Sequence, residues 1–136
     1  MKTTFNNRNI LITGGSSGIG LALAQKFAAE KCNVWLLARN QLNLIAAQKE
    51  IQSKLNCKLN YFIADVTKIE SLQPVQEYFT SHKLNIDILI NSAGVVHPGE
   101  FTKLDLEKFH WMMNTNFFEY LTNPKIIKAS ATAIIG

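Results

Sequence analysis

The stretch Thr13-Gly14-Gly15-Ser16-Ser17-Gly18-Ile19-Gly20 constrains this chain more than any other. The apolar run Ile10-Leu11-Ile12 stands directly before it, and an Ala- and Leu-rich segment with helical spacing follows. Apolar strand, glycine-rich turn and helix, in that order, build an anion site. Glycine lets the backbone approach a pyrophosphate, and the helix presents its first N–H groups and the positive end of its dipole. Alone, such a turn says little, because glycine clusters punctuate many loops. Its surroundings decide.

Those surroundings alternate. Strands are predicted over Asn9–Thr13 and Val34–Leu37, whose apolar centres do not alternate, as expected of parallel strands covered on both faces, and over Leu59–Ala64 and Ile86–Ile90. Between them lie helical spacings. Ile19, Leu23 and Phe27 predict a stripe packing the first helix on the sheet, and Leu44, Ala47, Ile51 and Leu55 mark the second, after Asn40. Thr67 and Glu70 have capping-box spacing, and Pro74 is harmless if the third helix begins at Ser71. A last helical region holds Leu104, Phe109, Met112 and Met113. The alternation predicts an α/β fold: a Rossmann-type doubly wound parallel sheet with right-handed crossovers. Its expected strand order is 3-2-1-4. Such sheets bind ligands beyond the carboxyl ends of their strands, where the polar and glycine-rich residues of this chain gather.

Composition narrows the classes. With 136 residues, 47% apolar and 18% charged, the chain is long enough for one globular domain with a core. The net charge of +4 is scattered, without the basic runs and interleaved aromatics of a nucleic-acid surface. Cys32 and Cys57 have neither metal-like nor CxxC spacing, which fits a reducing compartment. Residues 1–8 are polar, and no apolar run is long enough for a transmembrane segment, so a cytoplasmic location is expected. His82, His97 and His110 show no ligand spacing, so no metal is expected. Trp111, Met112 and Met113 read as core or subunit contact.

Four signals now stand in one order: Thr13-Gly14-xxx-Gly18-x-Gly20, Asp65 after the third strand, Asn91-Ser92-Ala93-Gly94 after the fourth, and Asn116 beyond. Together they resemble the amino-terminal half of the short-chain dehydrogenase/reductase family, over about residues 9–118. The resemblance implies a dinucleotide-binding oxidoreductase part over 1–118. Thr13, Gly14, Ser16, Ser17, Gly18, Ile19 and Gly20 would form the pyrophosphate turn. Asp65 would accept from the adenine amino group while the Val66 backbone meets the ring. Asn91, Ala93 and Gly94 would line the adenosine side, and Asn116 would take the catalytic-asparagine position. Ser92 departs from a commoner asparagine there. The stretch Leu37-Ala38-Arg39-Asn40 holds no acid to bind a 2′-hydroxyl, and Arg39 is placed to pair with a 2′-phosphate, so NADP(H) is expected over NAD(H). With the Gly99-Glu100-Phe101 region it also resembles the 3-ketodihydrosphingosine reductases. Taken singly, Asp65 and Asn91 also read as turn residues, Asn116 as a helix perturbation and Arg39 as a solvated charge.

The family's chemistry is hydride transfer between nicotinamide and a small-molecule carbonyl or alcohol, with a Tyr-x-x-x-Lys pair and an upstream serine. Four residues after Tyr61, Tyr78 and Tyr120 stand Asp65, His82 and Pro124, so no such pair exists in this sequence. Glu119 replaces the usual glycine, and Pro124 falls where a helix interior is expected. The expectation is therefore a tail over 119–136 foreign to the fold, as in a truncated or frame-shifted product, with the sheet ending near strand five. Strand four would be a bare apolar edge prone to self-association, and the chain would be catalytically incomplete. The alternative is a non-catalytic nucleotide-binding or interaction module, or a decayed gene product.

Overall fold

A computed structural model describes residues 5–92, Glu107 and the backbone of residues 129–134. The elements are β1 (Asn9–Thr13), α1 (Gly18–Ala29), β2 (Asn33–Ala38), α2 (Gln41–Lys54), β3 (Leu59–Ile63), α3 (Ile69–Ser81), β4 (Ile86–Asn91) and β5 (Ala129–Ile134). All pairings are parallel, and the strand order is β3-β2-β1-β4-β5. The first four strands follow the expected order.

Two cores explain the unbroken apolar strands. Successive side chains point to opposite faces of a sheet. Ile10, Ile12, Val34 and Leu36 therefore join one cluster with α1 and α2, through Ala24, Ala28, Leu44, Ala47 and Ile51. Leu11, Trp35, Leu37 and Leu89 join the other with α3, through Leu72, Val75 and Phe79. Along β1 and β2 both faces are dry, so neither can carry alternating polar residues.

Three expectations need correction. The first helix makes its closest contact through Gly20, Ala24 and Ala28, its buried residues; Leu23 and Phe27 pack against the same core only partly buried, and Ile19 is 55% exposed. Small side chains let the helix approach the sheet, and the larger ones flank that contact. The third helix begins at Ile69 after Lys68, with no side-chain cap, which puts Pro74 inside it. The proline's missing N–H costs about 3 kcal/mol, set against the burial of Leu72, Val75 and Phe79 at about 1.5–3 kcal/mol each.

The third correction concerns the tail. Residues 129–134 form β5 and pair with β4 from Ile86↔Ala129 to Asn91↔Ile134. Strand four is therefore interior, and this part of the tail belongs to the sheet. Self-association thus loses the bare β4 edge it rested on.

Candidate functional site

Because every strand is parallel, the carboxyl ends of β3, β2, β1 and β4 lie side by side. Past β1 the chain turns sharply. Gly14 and Gly18 adopt φ of 66° and 57°, the left-handed region that glycine enters without strain. The Gly14 N–H donates to the Leu37 carbonyl at 2.8 Å, pinning the turn to β2. A Cβ on Gly20 would run into the Gly14 carbonyl oxygen and lie 3.1 Å from Ser92 Oγ. Turn, helix and the end of β4 are thus packed as closely as backbone allows. Gly15 has a different reason to be glycine: its Cβ would sit 2.7 Å from Leu36 Cδ2. Its place against the core was not legible from the motif.

The helix start faces outward. Ser17 is the N-cap in extended conformation with no side-chain cap, Ser17, Gly18 and Ile19 are exposed, and the first turn has no acid. By contrast, α2 is capped by its own chain, since the Asn40 side chain accepts from the Asn43 N–H at 3.1 Å. An uncapped, acid-free helix start beside a glycine turn is suited to an anion.

Thr13 and Asn91 are buried at adjoining strand ends. Thr13 Oγ1 accepts from the Ser92 N–H at 3.2 Å and donates to the Ile90 carbonyl at 3.5 Å, so it fastens the β1 turn to the β4 exit. Ala93, Gly94 and Asn116 lie outside the described residues.

Beyond β2, Arg39 is exposed, and its charge acts on Asp65 beyond β3. Asp65 Oδ1 accepts from the Thr67 N–H at 2.9 Å and from the Thr67 hydroxyl at 2.6 Å. The Asp65 N–H donates to Ser71 Oγ at 2.8 Å. Burial pushes the Asp65 carboxyl up, but the Thr67 hydrogen bonds and the Arg39 and Lys68 charges outweigh it, leaving it below its ordinary value. The expected Thr67–Glu70 box is therefore replaced: Thr67 serves the aspartate and not the helix. Ser71, three positions after a lysine N-cap, gave no sequence signal for its role.

Neither cysteine belongs to this site. Burial raises both thiols, and the Glu30 and Asp87 charges raise Cys32 further, while Cys32 Sγ donates to the Phe5 carbonyl at 3.1 Å. Among the described residues there is no cluster of three His, Cys, Asp or Glu side chains fit for a metal, and no helix long and apolar enough to cross a membrane.

The chain matches the family model for short chain dehydrogenases over residues 8–128. It is 33% identical over 134 residues to a 3-dehydrosphinganine reductase of Arabidopsis thaliana, covering 98% of this chain and 39% of that protein. An uncharacterized oxidoreductase of Staphylococcus epidermidis is 32% identical over 131 residues, 93% of this chain and 55% of the relative. The chain thus spans about half the length, or less, of these curated relatives. L-sorbose reductase from Gluconobacter frateurii, solved with NADPH and L-sorbose, superposes with a TM-score of 0.79 at 26% identity, over 92% of this chain and 48% of that one. With its strand order, its glycine turn and a match that runs through nearly the whole sequence, this chain belongs to the short-chain dehydrogenase family.

Proposed function

We propose that this chain is the cofactor-binding part of an oxidoreductase that uses NADP(H) in preference to NAD(H). One observation carries the reading: a Cβ on Gly20 would run into the Gly14 carbonyl, so the glycine turn and the uncapped, acid-free start of the first helix meet backbone to backbone. Ser16, Ser17, Gly18 and Ile19 would present the backbone to the pyrophosphate, and Arg39 would meet the 2′-phosphate. Asp65 and Val66 would take the adenine, with Asn91, Ala93 and Gly94 along the adenosine side. The donors fit such a ligand. Among the described residues Asp65 Oδ2 accepts no hydrogen bond and the Val66 N–H donates none, so consecutive residues past the third strand offer one acceptor and one donor. Arg39 tips the choice toward a phosphate, since the stretch Leu37-Ala38-Arg39-Asn40 holds no acid to bind a ribose diol.

When bound, the nicotinamide supplies hydride chemistry to a carbonyl or alcohol carbon. This sequence contributes Asn116 at the catalytic-asparagine position but no Tyr-x-x-x-Lys pair to exchange the proton. The similarity to 3-dehydrosphinganine reductases supports a ketone as the substrate class of a complete relative. Two free thiols without CxxC spacing support a reducing, cytoplasmic setting.

Calorimetric titration of the chain with NADPH and NADH tests the cofactor reading. NADPH should bind more tightly, and Arg39→Ala should weaken NADPH by about tenfold or more, the value of one charge-assisted phosphate contact, and leave NADH unchanged. Equal binding of both by the wild type removes the preference, and binding of neither removes the site. Turnover of NADPH with ketones by this same polypeptide would rule out the view that it cannot catalyse.

A further inference from the structure

The two carboxylate oxygens of Asp65 are in different situations. Oδ1 takes two hydrogen bonds, both from Thr67, at 2.9 and 2.6 Å, whereas Oδ2 takes none among the described residues. A carboxylate turns easily about its last torsion, whose wells are broad. Held by Oδ1 alone through one N–H, it would still swing. With the hydroxyl added it is held by two donors of one residue, and Oδ2, like the N–H of the next residue, Val66, has no hydrogen bond among the described residues. The main chain is secured independently, through the Asp65 N–H to Ser71 Oγ at 2.8 Å and the Lys68 N–H to the Asp65 carbonyl at 3.0 Å. The hydroxyl of Thr67 can therefore be removed without releasing the loop.

We propose that Thr67 is a positioning residue that sets the choice of base: by holding Oδ1 it orients Asp65 so that Oδ2 and the Val66 N–H together read a purine edge carrying an exocyclic amine next to a ring-nitrogen acceptor. This rests on the nucleotide-binding reading above. Adenine presents that edge, and hypoxanthine presents the reverse, an oxygen beside a ring N–H. A swinging carboxylate would tolerate both, while a held one selects the first. The Arg39 and Lys68 charges and the Thr67 bonds keep the group ionised at neutral pH, hence acceptor only.

Equilibrium binding of NADPH and of its hypoxanthine counterpart to the whole chain provides the test, with melting of the nucleotide-free proteins measured in parallel. The wild type should favour NADPH by about tenfold or more, the cost of one mispaired hydrogen-bonded edge. Thr67→Val should cut that ratio to about threefold or less at a similar melting temperature, and Thr67→Ser should keep it within about twofold of wild type. Thr67→Ala replaces the valine variant if that one fails to fold. Hydroxyl-free variants that discriminate like the wild type overturn the role of Thr67 and leave the nucleotide site standing. A wild type that binds both nucleotides equally overturns base selection by Asp65. Binding of neither overturns this inference together with the cofactor reading.

Discussion

At the amino-terminal end of the sheet, the polar groups of the chain answer one another. The Asn9 N–H donates to Asp87 Oδ2 at 2.7 Å, the Asn9 side chain to the Asn85 carbonyl at 2.8 Å, and the Asn33 side chain to Asn9 Oδ1 at 3.0 Å. Arg8 lies 3.6 Å from Asp87. The carboxyl-terminal end of the same strands is built otherwise. There the first helix starts uncapped, Asp65 keeps one oxygen open, Arg39 stands exposed, and two glycines hold left-handed turns. One end spends its donors and acceptors on the fold; the other leaves a helix start without a side-chain cap and one carboxylate oxygen without a hydrogen bond among the described residues. In a parallel sheet this division follows from the chain direction, which brings all helix starts and strand exits to one side.

That contrast can be broken experimentally, and the glycine turn offers the largest effect. Gly20→Val places a side chain in the Gly14 carbonyl, so we expect a loss of about 3 kcal/mol in urea denaturation together with loss of NADPH binding. A variant that melts and binds like the wild type would show that the close approach is not needed. At the opposite end, Asp87→Ala leaves the Asn9 N–H without its carboxylate, at a cost of about 2 kcal/mol. Its Arg8 pair adds little, being an exposed ion pair. Nucleotide affinity should be unchanged. A weakened nucleotide site in this variant would mean that the two ends are coupled.

The smallest effect sharpens the comparison through pH. The Asp65 carboxyl is held below its ordinary value, so its contribution is complete above the unfolded value of about 4 and disappears as pH falls through the lower folded one. Between neutral pH and pH 3, the wild type should therefore lose more stability than Asp65→Asn does in the same urea series. Parallel curves for the two proteins would remove Thr67 and Arg39 as sources of that shift.

Strands β1 and β2 were legible because their centres are dry on both faces, and a strand such as Ile10-Leu11-Ile12 can then be nothing but apolar. The second helix was legible for the same reason, with Leu44, Ala47 and Ile51 all buried. The first helix misled, since hydrophobicity ranks Ile19, Leu23 and Phe27 above Gly20, Ala24 and Ala28, whereas close contact ranks them the other way. Strand β5 was hidden behind Glu119 and Pro124, whose local signals say nothing about residues 129–134 finding β4. Thr67 was recognised as a polar residue at a helix start, and only distance showed that its hydroxyl belongs to Asp65.

From its residues alone this chain declares a glycine turn between a buried strand and a helix, a parallel alternating order, a cation past the second strand and an acid past the third. These are local or periodic properties, carried by neighbours in the chain. Tertiary structure alone decided which side chains face the sheet, that β4 is interior, and that one oxygen of Asp65 is held while the other is left open. Each of those depends on groups meeting across space, and hydrogen bonds and close packing are set by distances of a few tenths of an ångström that no spacing along a sequence records.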